Sequence, residues 1–478
     1  MAIALPRIMV LKSFGNFQYL RRISKKESVE DNVAETFVYF KEDDITSPVI
    51  KFETEAAKTN EKLVHIRCCN NNKYLCVTED LYIQAAAPNP IENDGVSSTM
   101  FQAVQALGYP KDNFRFLHPG TKRYAVLKSD TTVYDEAFYT DDSFPIDAGN
   151  VSYVFTVLDW ASLVLFPNSV SFSDINDKTK FLSCRDGDAY LHFVDDQSIG
   201  DLRVVNEIIT KSDGYIRIKN VSTGKFWKRD EDNYILANST DTTWMDQNTI
   251  FRPEKFAKQV VALKSLGNGK FCNKEKGGKF LKAEEDTIMN ETKLWVSESV
   301  ILSTMYGFDF DTANGRVYNI HNPIVEGSSI EYTNFGSKET DSIDLKVSYQ
   351  KTKSQFAETN VSLSLGMETT LKFGAIPLIV DGEIEMSGQY TYEREGKDES
   401  SDAITVETTY KAKVPPKTLA KVTLDVKKGK CDVPFSYFKR DTHYDGKTTV
   451  TQMHDGIYTG VNMFSAKYRV TRNSLPKA

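Results

Sequence analysis

The 478-residue sequence has no run of 18 consecutive apolar residues, so no membrane-spanning helix is expected. Its opening, Met-Ala-Ile-Ala-Leu-Pro-Arg, lacks a basic start followed by an apolar block, and no secretory signal is expected either. Positive charge is not in excess: 59 Lys and Arg stand against 66 Asp and Glu, a net charge of −7. A mildly acidic chain has no general electrostatic pull on nucleic acid or anionic lipid, which sets nucleic acid aside as a partner. Membrane contact would then have to come through shape, apolar surface or a receptor. The six cysteines, at 68, 69, 76, 184, 272 and 431, show no regular framework. Reduced thiols in a cytoplasmic or nucleocytoplasmic protein are the expectation.

Catalytic signatures are also missing. The sequence contains no His-Glu-x-x-His, no Gly-x-Ser-x-Gly and no Cys-x-x-Cys. Gly446-Lys447-Thr448 resembles the end of a phosphate loop, but Asp441 stands where the first glycine would be and no helical pattern follows. A turn is the simpler reading. The six histidines are scattered, so no metal site, cofactor or enzymatic activity is expected.

What the sequence does have is a repeat. An aromatic following a small or basic residue recurs at Tyr19, Tyr74, Tyr124, Phe181, Phe226 and Phe271. The last three lie 45 residues apart, the earlier ones 55 and 50 apart. In five of the six units a second aromatic follows after a polar turn: Tyr82, Tyr134, Tyr190, Tyr234 and Phe280. Two short strands about a polar turn make a hairpin. Phe52, Phe101, Phe155, Phe251 and Trp295 are placed to close each unit on a further strand. Spacing changes between the two triplets, and Leu158–Pro167 interrupts them, which favours two β-trefoils over one six-bladed propeller. The recurring aromatics are expected to meet about each pseudo-threefold axis and pack a core.

On these phrases, with Pro6-Arg7-Ile8-Met9-Val10-Leu11-Lys12-Ser13, Leu63-Val64-His65-Ile66 and Lys225-Phe226-Trp227, residues 1–302 resemble the amaranthin-type plant lectins. The resemblance implies one trefoil over 1–157 and a second over 163–302. It also implies binding of galactose/N-acetylgalactosamine-type glycans between the first trefoil of one protomer and the second of another. The family's site loop falls on Asp80-Leu81-Tyr82-Ile83-Gln84, with tyrosine where the family has tryptophan. Sugar recognition needs an aromatic face and a few oriented polar groups. Asn72, Asp80, Tyr82 and Gln84 supply those types in the first trefoil, and Trp227, Asn233 and Tyr234 in the second. A repeat-position aromatic is also an ordinary core residue, and that reading stands beside the first.

From about Ser303 the composition changes. All four tryptophans lie before this point, and residues 341–372 contain nine Ser and Thr. Val361, Leu363, Leu365, Met367, Leu371 and Phe373 alternate with polar residues. Gly374-Ala375-Ile376-Pro377 reads as a turn, and Ile384, Met386, Tyr390 and Tyr392 alternate on a return limb. This is an amphipathic hairpin, each limb long enough for a transmembrane β-strand of about 9–11 residues. An antiparallel sheet with one wet face has the same period. With Val414-Pro415-Pro416-Lys417-Thr418 leading into a strand over 420–426, residues 306–478 resemble the pore-forming module of aerolysin-type toxins. The resemblance implies homo-oligomers that insert the hairpin as a β-barrel, led by an apolar tip including Ile376 and Pro377. Glu368, Lys372, Asp381, Glu383 and Glu385 would then face the lumen. Four acids against one lysine, net −3 per protomer, would favour cations.

The expected architecture is therefore all-β: two β-trefoils followed by an elongated aerolysin-like antiparallel β module. The expected function is a glycan-binding lectin with a pore-forming module, a plant pairing tied to defence. It would be cytoplasmic until it inserts in a membrane as an oligomer. The alternative is a non-lytic lectin or scaffold whose last module serves only assembly.

Overall fold

The computed structural model describes residues 5–141, 149–336, 338–358, 371–387, 392–394 and 400–476. The chain divides into two compact units, one centred on Met1–Thr304 with Lys439–Thr451, the other on Met305–Thr359, Glu368–Phe438 and Gln452–Ala478. No helix among the described residues is long and apolar enough to cross a membrane.

The first unit holds two barrels built from six repeats of four strands. The first three repeats are β1–β4 (Ile8–Ser13, Tyr19–Arg22, Val38–Glu42, Phe52–Ala56), β5–β8 (Val64–Cys68, Lys73–Val77, Ile83–Ala87, Met100–Gln105) and β9–β12 (Asn113–His118, Arg123–Leu127, Phe138–Asp141, Phe155–Asp159). The first and fourth strands of each repeat pair in a closed ring: β1 with β4, β4 with β5, β5 with β8, β8 with β9, β9 with β12, and β12 back to β1. The second and third strands of each repeat make hairpins that cap the ring. This is a β-trefoil, and closing the ring removes free sheet edges.

The next three repeats are β13–β16 (Ser169–Asp174, Phe181–Cys184, Leu191–Val194, Asn206–Thr210), β17–β20 (Ile216–Asn220, Phe226–Arg229, Ile235–Ser239, Phe251–Ala257) and β21–β24 (Val260–Ser265, Phe271–Lys274, Leu281–Glu285, Lys293–Glu298). They close the same ring, with β24 returning to β13.

The repeat explains the core. The residue after each opening aromatic points inward: Leu20, Leu75 and Ala125 in the first trefoil, Leu182, Trp227 and Cys272 in the second. The closing aromatics Phe52, Phe101, Phe155 and Phe251 join them. Trp295 does not. Its neighbours Leu294 and Val296 take the core, and the indole faces outward under the Lys178 ammonium, 3.2 Å from the ring centroid.

Of the recurring aromatics only the second of each unit converge on the axes; the opening ones pack elsewhere, Tyr19 with Trp160 and Tyr74 with Cys76. Tyr190, Tyr234 and Phe280 stand edge to face, with centroids 5.3, 5.7 and 5.8 Å apart. Tyr82 and Tyr134 meet at 5.1 Å in the first trefoil, and Phe37 takes the third place, 5.3 and 5.4 Å away. Offset and edge-on ring pairs of this kind are favoured by the ring quadrupole.

All six cysteines are free. His65, set in a barrel strand, bonds Thr99 through Nδ1 and Glu92 through Nε2, as a satisfied core residue does. Gly446 belongs to a turn, closed by the Lys447 carbonyl accepting from the His443 amide.

The second unit is built from long antiparallel strands. Arg316–Asn334 pairs with Thr418–Thr442, and Asp341–Glu358 pairs with both Ser400–Val414 and Thr448–Ser474. Leu345, Val347, Val414, Val422 and Leu424 alternate inward to form one core cluster.

Candidate glycan-binding faces and a docked hairpin

The β6–β7 hairpin sorts its four sequence-predicted sugar residues to different places. Asp80 lies exposed on the closing turn, and Tyr82 stands just before the return strand, bridged to Tyr139. The Tyr82 ring is hemmed in by Phe37, Tyr134 and Tyr139, with the Lys128 ammonium 4.6 Å from its centroid and bonded to its hydroxyl. Gln84 accepts a 2.6 Å hydrogen bond from the Thr36 hydroxyl. Asn72 sits at the open end of the hairpin. It is buried, left-handed (φ 55°) and bonded by the Arg67 guanidinium, so it supports the fold away from Asp80 and Tyr82.

The second trefoil separates its three in the same way. Trp227 is fully enclosed, with its indole N–H donating to Asn206 Oδ1 at 3.0 Å. It presents no face to solvent, a correction to its placement among sugar contacts. Asn233 and Tyr234 do share one turn. Asn233 Oδ1 accepts from Arg229 at 2.8 Å and from Asn268 at 3.0 Å. Tyr234 donates to Glu275 at 3.3 Å and lies under Lys282, 4.4 Å from its centroid. Both aromatic caps are thus lidded by a cation, and only part of each ring is open.

A cleft of about 480 Å³ in the second trefoil gathers groups that the aromatic phrase does not reach. Asp174, only 7% exposed, receives Lys274 at 2.7 Å and the Asn176 amide at 2.9 Å. Burial alone would raise its pKa, but Lys274 and Asn176 outweigh burial and hold it below the usual carboxylate value. Asn290 donates to Asn176 Oδ1 at 2.7 Å, and Phe193 forms an apolar wall with Lys274 5.4 Å from its ring. A carboxylate, two amides, an ammonium and a ring suit a polyhydroxylated ligand. The acid, ammonium and ring come from the ends of three separate strands, and the two amides from a loop and a 3-10 turn, so no local motif marks them.

The hairpin of the second unit differs from its expected form. Val361, Leu363, Leu365, Met367, Glu368 and Tyr390 lie outside the described residues. Leu371 pairs with Arg394 and Phe373 with Tyr392. Ile376–Val380 then pairs with Glu383–Ser387, and the chain reverses at Asp381-Gly382, both at positive φ (50° and 100°). The turn is therefore not at Gly374–Pro377. Asp-Gly is a preferred hairpin closure, because both central positions need φ above zero.

Nor is Ile376–Ile379 an exposed tip. Phe373, Ile376, Leu378 and Ile379 are buried with Phe435, Tyr437 and Tyr458, and Pro377 is buried beside them. The Phe373 ring meets Phe308 edge-on at 4.6 Å. Ile384 packs partly against this cluster, and Met386 is 45% exposed. Lys372, Glu383 and Glu385 are exposed. Cross-strand pairing sets Glu385 beside Leu378 and Glu383 beside Val380 on one face. The two-row pattern of the outer limbs therefore does not continue to the turn.

One buried side chain ties this hairpin down. Asn462 donates from Nδ2 to the Ile379 carbonyl at 2.9 Å and accepts the Ile379 N–H on Oδ1 at 3.0 Å. The amide thus stands in for a neighbouring strand at Ile379 and satisfies backbone groups that would otherwise be buried unpaired.

Residues 3–136 match the Agglutinin domain family. The Agglutinin match lies on the ring and caps of the first trefoil. No curated protein matches the chain by sequence. Among solved structures, the chain is similar to a mosquitocidal holotoxin at 10% identity and a TM-score of 0.29, covering 65% of this chain and 36% of that one. The chain therefore spans little more than a third of the holotoxin's length. A lamprey immune protein overlaps at 12% identity and a TM-score of 0.29, covering 77% of this chain and 88% of that one. A designed three-fold symmetric protein, ThreeFoil, overlaps at 11% identity and a TM-score of 0.25, covering 28% of this chain and 99% of that one.

Proposed function

We propose that this chain is a glycan-binding protein that opens pores in receptor-bearing membranes. In this reading residues 1–157 and 163–302 are lectin trefoils for galactose/N-acetylgalactosamine-type glycans. Residues 306–478 are the pore-forming module. The Agglutinin match over residues 3–136 supports the lectin part. The observation that carries the pore part is the docked hairpin: an apolar segment, Phe373–Ile379, is covered by the module's own core and tied by the Asn462 amide. A segment held by one core face and one clamp can be exchanged for lipid when several copies satisfy its backbone in a closed barrel.

Glycan binding concentrates the protein at the membrane, so that copies assemble into a ring. The reading places the protein in the cytoplasm before damage and in defence after it, and gives it no reaction to catalyse. Release of dye from liposomes displaying galactose-terminated glycolipid, and none from bare liposomes, is the expected result. Intact liposomes on both surfaces, with the protein bound to the first, would leave the lectin and remove the pore.

That second outcome has one observation in its favour. Glu383 and Glu385 share a face with Val380 and Leu378, so this end of the hairpin has no wholly apolar row on that face to turn to lipid. A non-lytic lectin whose last module serves assembly would carry such a face without penalty.

A further inference from the structure

One backbone position of the trefoil repeat is left-handed in five of the six units. Phe17, Asn72, Lys122, Gly224 and Gly269 have φ of 61°, 55°, 57°, 64° and 69°. Each stands two residues before the aromatic that opens its second strand. Four of them donate their N–H to the carbonyl four residues back: Phe17 to Ser13 at 3.0 Å, Lys122 to His118 at 2.9 Å, Gly224 to Asn220 at 3.0 Å and Gly269 to Ser265 at 2.9 Å. Glycine and asparagine take this conformation at least cost, whereas a bulky ring is an outlier. Phe17 is that outlier, and burial does not account for it, since the side chain is 62% exposed. A strained residue that the core does not require points to a role at the surface.

The ring stands at the mouth of a cleft between the two trefoils, with a volume of about 680 Å³. This lies within the range of small-molecule sites. On the first-trefoil side, the Lys12 ammonium lies 6.0 Å from the Phe17 centroid and 5.2 Å from that of Tyr19. Among the described residues, Lys12 has no carboxylate partner and the Tyr19 hydroxyl has no hydrogen bond. Burial, and then the charges of Asp213 and Asp44, push that hydroxyl up to about 12, so it stays a proton donor. On the second-trefoil side, Asp213 faces it from a turn that it caps itself, accepting from the Tyr215 amide at 3.2 Å and from Lys211 at 3.1 Å.

The walls are held in register. Ile45 N–H donates to the Ser212 carbonyl at 2.9 Å, and Lys255 donates to the Ala161 carbonyl at 3.0 Å. Trp160 and Leu165 of the linker are buried with Tyr19 and Ile45. Lys12, Arg252 and Lys255 line the cleft against Asp213 and Glu254, so its charges nearly cancel.

We propose that this inter-trefoil cleft is a further carbohydrate site that takes a neutral oligosaccharide. The Phe17 ring serves as the stacking platform, Lys12 and the Tyr19 hydroxyl donate to sugar oxygens, and Asp213 accepts from sugar hydroxyls. The inference rests on the glycan-binding reading and is separable from it. Phe17→Gly removes the platform and relieves the left-handed strain in one change.

The test is calorimetric titration of the full chain with a neutral galactose-terminated tetrasaccharide and with its sialylated counterpart. Phe17→Gly is expected to weaken neutral binding about tenfold or more while the melting temperature holds or rises. Lys12→Gln is expected to weaken it as well. Wild-type binding that both variants leave unchanged overturns this site and leaves the lectin reading intact. A fall in melting temperature in Phe17→Gly makes the ring structural and overturns the site. Tighter binding of the sialylated probe overturns the neutral class. A wild-type chain that binds neither probe overturns this site together with the glycan reading.

Discussion

Replacing Asn462 by leucine isolates the clamp on the hairpin. The two side chains are close in size, so the change removes an amide without opening a large void. Asn462 is 2% exposed and Ile379 is 1% exposed, so water cannot replace the lost partners without a rearrangement. The substitution strands the Ile379 N–H and C=O, which Asn462 now satisfies at 3.0 and 2.9 Å. Each orphaned buried group costs about 1–3 kcal/mol. Together they weaken docking by about 2–6 kcal/mol, or roughly 30-fold to some 20,000-fold in the open population. The burial of Phe373, Ile376, Leu378 and Ile379 opposes this, at about 1.5–3 kcal/mol per side chain. The hairpin should therefore stay docked on average but open far more often. Hydrogen exchange reads this directly: the amides of Ile376 and of 378–380 should exchange faster by the factor above, with trefoil amides unchanged. Dye release from glycan-bearing liposomes should quicken in parallel. Unchanged exchange at Ile379 would refute the clamp. Faster exchange with unaltered release would separate the hairpin from membrane attack.

Other outcomes follow from the same geometry. Trp227→Ala should cost about 3–5 kcal/mol in thermal or denaturant unfolding, because it leaves a large cavity in the second trefoil's core and leaves Asn206 Oδ1 with only the Asn220 amide at 3.3 Å, whereas Asp80→Ala on its exposed turn should leave stability nearly unchanged. Gly456→Ala should lower the stability of the last module by about 1–3 kcal/mol, since its methyl would meet the buried Phe435 ring at 2.3 Å; an unshifted melting curve would count against this packing. Acid should weaken the first trefoil in two stages. Burial holds His118 below the ordinary 6.5, with Nε2 donating to the Ser98 carbonyl at 3.0 Å, so below about pH 6.5 the unfolded chain takes up a proton that the folded one refuses. Glu92, lowered from 4.5 to about 2 by the Lys58 amide and Thr59, contributes stability above 4.5 that is lost as pH falls toward 2. A melting temperature that stays level from pH 7.5 to 3 would contradict both. Cys272 and Cys431, each pushed up to about 12 by burial, should react with a thiol reagent only as fast as the native chain unfolds.

The sequence already contained two of the answers that motif reading missed. Trp227 occupies the repeat position held by Leu20, Leu75, Ala125, Leu182 and Cys272. Every member of that set is a core residue, so alignment of the repeats alone assigns the indole inward. Asp381-Gly382 was likewise the stronger turn signal, because both residues accept positive φ, whereas Gly374 lies between two paired segments of the hairpin. A turn at Gly374–Pro377 would lie seven residues before the observed one, in a strand that is buried and not a free tip.

By itself the sequence determined the all-β class, the sixfold repeat of paired strands and five of the six aromatics that meet on the pseudo-threefold axes, Phe37 being the sixth. These follow from local rules: a strand alternates every second residue, a polar turn reverses the chain, and a repeat returns each residue type to an equivalent site. Tertiary structure alone decided which of those aromatics keep an open face, and that Asp174, Asn176, Phe193 and Asn290 share a cleft. It also decided that Asn462, 83 residues from Ile379, ties the hairpin down. Such contacts depend on ring closure and on packing between segments far apart in the chain, and no periodicity within a segment records them.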